Sequence, residues 1–149
     1  MLAIISYLEK QELDWEIHNT LNDAFQVDTH FYIGESPIDL RWEDARNYPR
    51  EHFFKDVHGA VACLEESYVF VNVQRARTFE KAGYDWFRLH DFDHPENACY
   101  VFGPNYSKPE LIRGVNVSID SGRGSLHTVS AMAMVLYSRE MKWRTSNSV

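Results

Sequence analysis

Apolar positions along the chain follow two periods, and their alternation predicts the layout. Residues 2–8 (LAIISYL) form an almost unbroken apolar run, as expected of a strand buried on both faces of a parallel sheet. Leu13, Ile17, Leu21 and Phe25 then fall four apart, which predicts a helix over 12–25 with that stripe facing inward. Residues 27–33 (VDTHFYI) read as the next strand, ended by Gly34, and 67–73 (SYVFVNV) as a core strand. A short helix over 75–82 stops at Gly83, which can take the left-handed cap conformation. Residues 99–102 form a short apolar strand running into Gly103-Pro104-Asn105; residues 115–119 form another, followed by the glycine-bearing stretch 120–124. Leu126, Val129, Ala133 and Leu136 return at helical spacing. Strand, turn, strand, glycine loop, helix predicts an α/β fold: a mostly parallel sheet, helices on both faces, and a ligand crevice beyond the strand ends.

Composition narrows the class. A chain of 149 residues with 44% hydrophobic and 25% charged positions suits a single globular domain. No run approaches the ~20 apolar residues of a membrane helix, and MLAIISYLEK carries no basic leader, so a cytoplasmic protein without a membrane partner is expected. Cys63 and Cys99 are far apart in apolar surroundings and read as reduced, buried thiols. The polar end beyond Trp143 (144–149) reads as a frayed tail. A net charge of −7 is the wrong sign for a protein that blankets phosphates: no DNA partner is expected, and RNA would need a local basic patch. Residues 35–66 mix Arg41, Arg46, Arg50, His52, Lys55 and His58 with Trp42, Tyr48, Phe53 and Phe54. That mixture suits base stacking and phosphate contact, but interleaved acids make a solvated helix and loop the stronger reading. His90-Asp91-Phe92-Asp93-His94 places two histidines on one side of an extended segment; without a third ligand of matched spacing it reads as a surface turn, not a metal site.

Three motifs in order carry a family resemblance. Phe102-Gly103-Pro104-Asn105 is similar to F-G-P-E. Val117-Ser118-Ile119, followed by Ser125-Leu126-His127-Thr128-Val129-Ser130-Ala131, is similar to a strand ending I-P-M coupled to a helix opening S-L-N-x-x-x-A. Ala24-Phe25-Gln26-Val27-Asp28 matches the end of N-x-G-x-x-x-R-x-A-x-A-F-G-V-D. Together these resemble the SpoU/TrmH-type branch of the SPOUT methyltransferases, trefoil-knotted RNA 2′-O-methyltransferases. The resemblance implies a C-terminal trefoil knot, a homodimer, S-adenosylmethionine (AdoMet) as cofactor, and tRNA or rRNA as substrate. It is good over 99–139, fair over 12–34 and thin between.

The cofactor set implied is Asn72, Val73, Phe102, Gly103, Pro104, Val117, Ser118, Ile119 and Leu126. Glycine permits close backbone approach and the aliphatic residues can wall an adenine, although Val117, Ile119 and Leu126 can equally be core and Gly103 a simple turn. The catalytic end departs from the pattern. Asn105 stands for the motif's Glu, His127 for its Asn, Thr20 for its Arg, and Asp14 and Glu16 for its Asn and Gly. Thr20 has neither positive charge nor a fork of donors, so it cannot take the arginine's part on phosphate. If the chain is active, the resemblance implies His127 and Asn105 as the acceptor-handling residues, although a lone helix histidine is more often solvated or capping; Ser125 is a substrate contact or helix cap, and an arginine from 41–50 or a partner subunit holds phosphate. A non-catalytic knotted homodimer binding RNA or protein, and a methyltransferase with a non-RNA acceptor, are the other readings.

Overall fold

The computed structural model describes residues 1–8, 15–34, 50–64, 66–104, 108–119 and 128–147. These residues hold seven strands: β1 (Leu2–Tyr7), β2 (Thr29–Ile33), β3 (Phe53–Phe54), β4 (Val69–Val73), β5 (Phe87–Arg88), β6 (Ala98–Phe102) and β7 (Val115–Ser118). They form one sheet in the order β3-β2-β1-β6-β4-β7-β5, and every neighbouring pair is parallel. Four α-helices among the described residues accompany it: α1 (Trp15–Ala24), α2 (Val57–Leu64), α3 (Ala76–Ala82) and α4 (Thr128–Asn147). The predicted α/β class with a parallel sheet and helices on both faces is what the chain adopts.

Alternation in the strands divides the core. Leu2, Ile4, Val71, Val73, Tyr100, Phe102 and Val117 point to the face covered by α1 and α4, which adds Met132, Val135 and Leu136. Ala3, Ile5, Ile33, Phe70, Cys99 and Val101 point to the opposite face, closed by Val57, Ala60 and Leu64 of α2 and by Ile112. Strands buried on both sides read as apolar runs, which is why β1, β4 and β6 stand out in the sequence.

Several expectations need correction. The buried stripe of α1 contains His18 at 2% exposure, while Ile17 is 43% exposed, so this helix docks one position round from its apolar pattern. On α4 the buried positions are Thr128, Met132, Val135, Leu136 and Arg139 rather than a stripe through Ala133. The helix also runs on to Asn147, past Trp143, where a frayed tail is predicted. Cys63 is exposed, on the outer side of α2; only Cys99 is buried, and burial pushes its thiol pKa up. β3, α2 and β5 were not legible as elements.

Neutral histidines dock both helices of the first face. The His30 ring lies 2.7 Å from Ser6 Oγ through Nε2 and 2.9 Å from Asn22 Oδ1 through Nδ1. An amide oxygen only accepts, so Nδ1–H donates to Asn22 and Nε2 accepts from the Ser6 hydroxyl. Tyr32 stacks on His30 at 4.3 Å, and His18 stacks on both rings. Burial, with His18 and His52 nearby, holds His30 well below the usual histidine range. Likewise His94 joins Tyr100 Oη (2.6 Å) to Ser138 Oγ of α4 (3.1 Å), and burial beside Lys142 and Arg139 lowers it to about 4. Lys142 Nζ donates to the carbonyls of Leu89, His90 and Phe92, fastening the HDFDH turn beneath α4.

Two consequences are measurable. A Cβ at Gly114 would sit 2.2 Å from the Phe70 carbonyl oxygen, so Gly114→Ala is expected to destabilise the fold by about 1–3 kcal/mol in urea titration. A loss under a few tenths would show that β7 approaches β4 less closely. The histidines also set a pH dependence. Both are neutral when folded, whereas unfolded histidine takes up a proton near pH ~6.5. The unfolded chain therefore binds more protons below that pH, and stability falls as pH drops from ~6.5 towards 4. For fully buried His30 the contribution is at most ~1.4 kcal/mol per pH unit. His30→Gln should flatten the urea-midpoint profile over this window; an unchanged slope would contradict the assignment.

Candidate functional site

Parallel pairing brings three strand ends together at one edge. Val73 of β4 is flanked in register by Phe102 of β6 on one side and Val117 of β7 on the other. Gln74, the next residue, closes the group: its backbone N–H donates to the Val117 carbonyl (3.2 Å) and its Nε2 to the Gly103 carbonyl (2.5 Å). Because β1 leads leftwards to β2 while β4 leads rightwards to β5, this edge lies at the switch in winding direction, where open α/β sheets bind ligands.

Gly103 has φ +85°, a conformation that favours glycine, and is followed by a cis peptide bond to Pro104. A Cβ there would stand 3.2 Å from Tyr7 Cβ and 3.7 Å from Thr128 Oγ1, so the turn lies between the end of β1 and the start of α4. Val73, Phe102 and Val117 have side chains in the core and form the floor beneath this turn. Pro104 is buried and Ile119 half-buried, the latter packing against the same core. Ser118 differs: it is fully buried, and its hydroxyl has no hydrogen-bond partner among the described residues.

The Asn72 side chain is engaged within the chain. Its Nδ2 donates to the Ile112 carbonyl (2.7 Å) and to Asn116 Oδ1 (3.1 Å), and its Oδ1 accepts from Ile112 N–H (3.1 Å). The side chain thus pins the β6–β7 connection onto β4. Asn105, Ser125, Leu126 and His127 lie outside the described residues, as do 41–49 and Asp14. Thr20 and Glu16 are exposed on α1. His94 engages protein partners through both ring nitrogens.

Gln74 closes the 72–74 stretch at the end of β4, the place where the resembling family's first cofactor loop would fall, and it borders the edge. Tyr7, not singled out from sequence, borders it too; burial, with Glu110 and Asp56 nearby, pushes its phenol up to about 12, so it stays a neutral donor. Glu110 accepts from the His58 ring at 2.5 Å and raises its pKa, tying the segment before β7 to the start of α2.

No protein-family model and no curated protein matches the sequence. Among solved structures, the fold is similar to that of a probable methylase family protein from Haemophilus influenzae Rd KW20, with TM-score 0.66 and 11% identity over 98% of this chain and 67% of that one. It is also similar to an AdoMet-bound rRNA methyltransferase from Sinorhizobium meliloti, with TM-score 0.62 and 14% identity over 95% of this chain. The chain spans 55% of the length of that second protein. The likeness is one of fold, a fold that methyltransferases use. No helix among the described residues is long and apolar enough to cross a membrane.

Ser118 offers a direct test of the edge. A buried hydroxyl without a partner is unfavourable, so Ser118→Ala is expected to leave the ligand-free protein as stable or more stable, by up to about 1 kcal/mol in urea titration. A clear loss of stability would mean that the hydroxyl is already satisfied within the chain.

Proposed function

We propose that this chain is an AdoMet-dependent RNA 2′-O-methyltransferase of the SpoU/TrmH type, acting on tRNA or rRNA as a homodimer. The observation that carries the proposal is the meeting of the β4, β6 and β7 ends around Gly103, at the position where the sequence resembles the family's cofactor motifs. The fold likeness to an AdoMet-bound rRNA methyltransferase supports it. The described residues suit a nucleoside: Gly103 allows close backbone approach, Ile119 offers an apolar wall, and Ser118 holds an unpaired hydroxyl. A C-terminal trefoil knot belongs to the proposal, supported by the way β6 and β7 are inserted beside β4 after β5 has been laid down.

AdoMet, when bound, supplies an electrophilic sulfonium methyl. The chain's task is then to hold a ribose hydroxyl in line with that methyl and to remove its proton. His127 and Asn105 are assigned those roles, with Ser125 as substrate contact or helix cap. The homodimer draws support from Met134, Tyr137 and Met141, which form an exposed stripe on α4 at three- and four-residue spacing. Sedimentation showing only a species of 17.5 kDa would remove that part.

One observation favours a second reading, a non-catalytic RNA- or protein-binding homodimer: exposed Thr20 and Glu16 occupy a helix where the resembling motif carries arginine and glycine. A single set of experiments separates the two. Calorimetry is expected to show AdoMet binding that Ser118→Ala weakens about five- to tenfold, as for loss of one hydrogen bond. Labelled methyl should then pass from AdoMet into the 2′-hydroxyl of cellular tRNA or rRNA. Binding without transfer would select the second reading, and absence of binding would end the first.

A further inference from the structure

The far edge of the sheet carries an unusual surface for an acidic protein. Residues 75–88 hold four cations (Arg75, Arg77, Lys81, Arg88) against two carboxylates (Glu80, Asp85), whereas the whole chain is at −7. All four cations are exposed, and none makes an ion pair among the described residues. Two large aromatics stand among them, Tyr84 at 54% and Phe87 at 52% exposure. Phe87 packs its ring against Phe92 at 5.8 Å, so it is held in place while half its surface faces outward.

The fold puts this surface beside the candidate site. Among the described residues β5 is the edge strand and pairs with β7 alone, with Phe87 opposite Val117 and Arg88 opposite Ser118. Arg88 therefore stands next to the residue whose hydroxyl is unpaired. Arg75 follows Gln74, which is bonded to Val117 and Gly103, so α3 begins at the same edge. Residues 84–86 lead from the end of α3 into β5, where the Asp85 carbonyl accepts from Asn116 Nδ2 at 3.1 Å and the chain then pairs with β7.

We infer that this lane is the binding surface for a single-stranded segment of RNA, with Arg75, Arg77 and Arg88 contacting phosphates and Tyr84 and Phe87 offering faces for bases. It supplies cations next to the strand ends that Thr20 on α1 cannot supply. The choice of RNA rests on the proposed methyltransferase reading; the surface itself rests on charge and placement. The outer edge of β5 is too short for a peptide strand, at two residues, and the exposed cations of 75–88 suit a polyanion better.

The test uses the full chain and a fluorescein-labelled single-stranded oligoribonucleotide, with anisotropy read at several salt concentrations. Combined Arg75→Glu, Arg77→Glu and Arg88→Glu substitutions should weaken binding at least about tenfold and reduce the slope of log K against log salt by about 2, as for loss of three phosphate contacts on a single strand. Phe87→Ala, which changes no charge, should weaken binding at least about fivefold with the slope unchanged. Arg144→Glu, at the far end of α4, should change neither. Thermal melts monitored by circular dichroism confirm that each variant is folded. Equal affinity and slope for the triple variant, or no RNA binding by the unmodified chain, overturns the inference. AdoMet calorimetry on the same samples keeps the two proposals apart: cofactor binding retained while the RNA result fails leaves the methyltransferase reading standing without this surface.

Discussion

Everything at the candidate site follows from one packing constraint: β4 is held between two strands that come later in the chain. Parallel pairing on both sides fixes Val73 between Phe102 and Val117, and a slip of one residue would turn every side chain to the wrong face. Three polar and steric features enforce that register. Asn72 fixes the connection at Ile112, Gln74 joins the ends of β6 and β7, and Gly114 lets β7 lie against the Phe70 carbonyl. With the register set, the turn at Gly103, the buried Ser118 and the start of α4 have fixed places.

The helices over that sheet are attached differently. Aliphatic contacts of Met132, Val135 and Leu136 dock the middle of α4, but His94 and Lys142 fasten its later turns to the segment leading into β6. In α1 the seam is mostly polar: His18 and Asn22 meet Ser6, His30 and Tyr32, with Leu21 and Phe25 only partly buried. Such networks hold a unique arrangement when every member is satisfied, and they make the covering of this face sensitive to acid. The same face carries Val73, Phe102 and Val117, the floor of the candidate site, so protonation of this network acts on the layer beneath it.

Long, two-face-buried strands were legible from sequence: β1, β2, β4, β6 and β7 were each found to within two residues, as was α3 with its glycine cap. Two-residue strands such as β3 and β5 have no period to detect. The stripe of α1 was misplaced because its innermost residue is a histidine, which a hydrophobic pattern counts as surface. The polar interruptions Ser6 and His30 in otherwise apolar strands were the available signal for that network. In α2, Val57, Ala60 and Leu64 do follow helical spacing, but the charged and aromatic residues before them hid it. At the site, the glycine turn and the strand ends were readable from motif order. The roles of Gln74 and Tyr7 depend on which strands become neighbours, and chain order alone does not say that β6 and β7 enter beside β4. The excess of cations over 75–88 is local in the sequence, but its place beside β7 depends on how α3 and β5 pack.

The most direct measurement is a crystal structure of the chain with S-adenosylhomocysteine. The ligand should lie beyond the ends of β4, β6 and β7, in contact with the Gly103 turn and Ile119, with the Ser118 hydroxyl within hydrogen-bond reach. A ligand bound elsewhere, or strand ends that remain closed in a crystal soaked at saturating concentration, would contradict the central claim that sheet register builds the binding site.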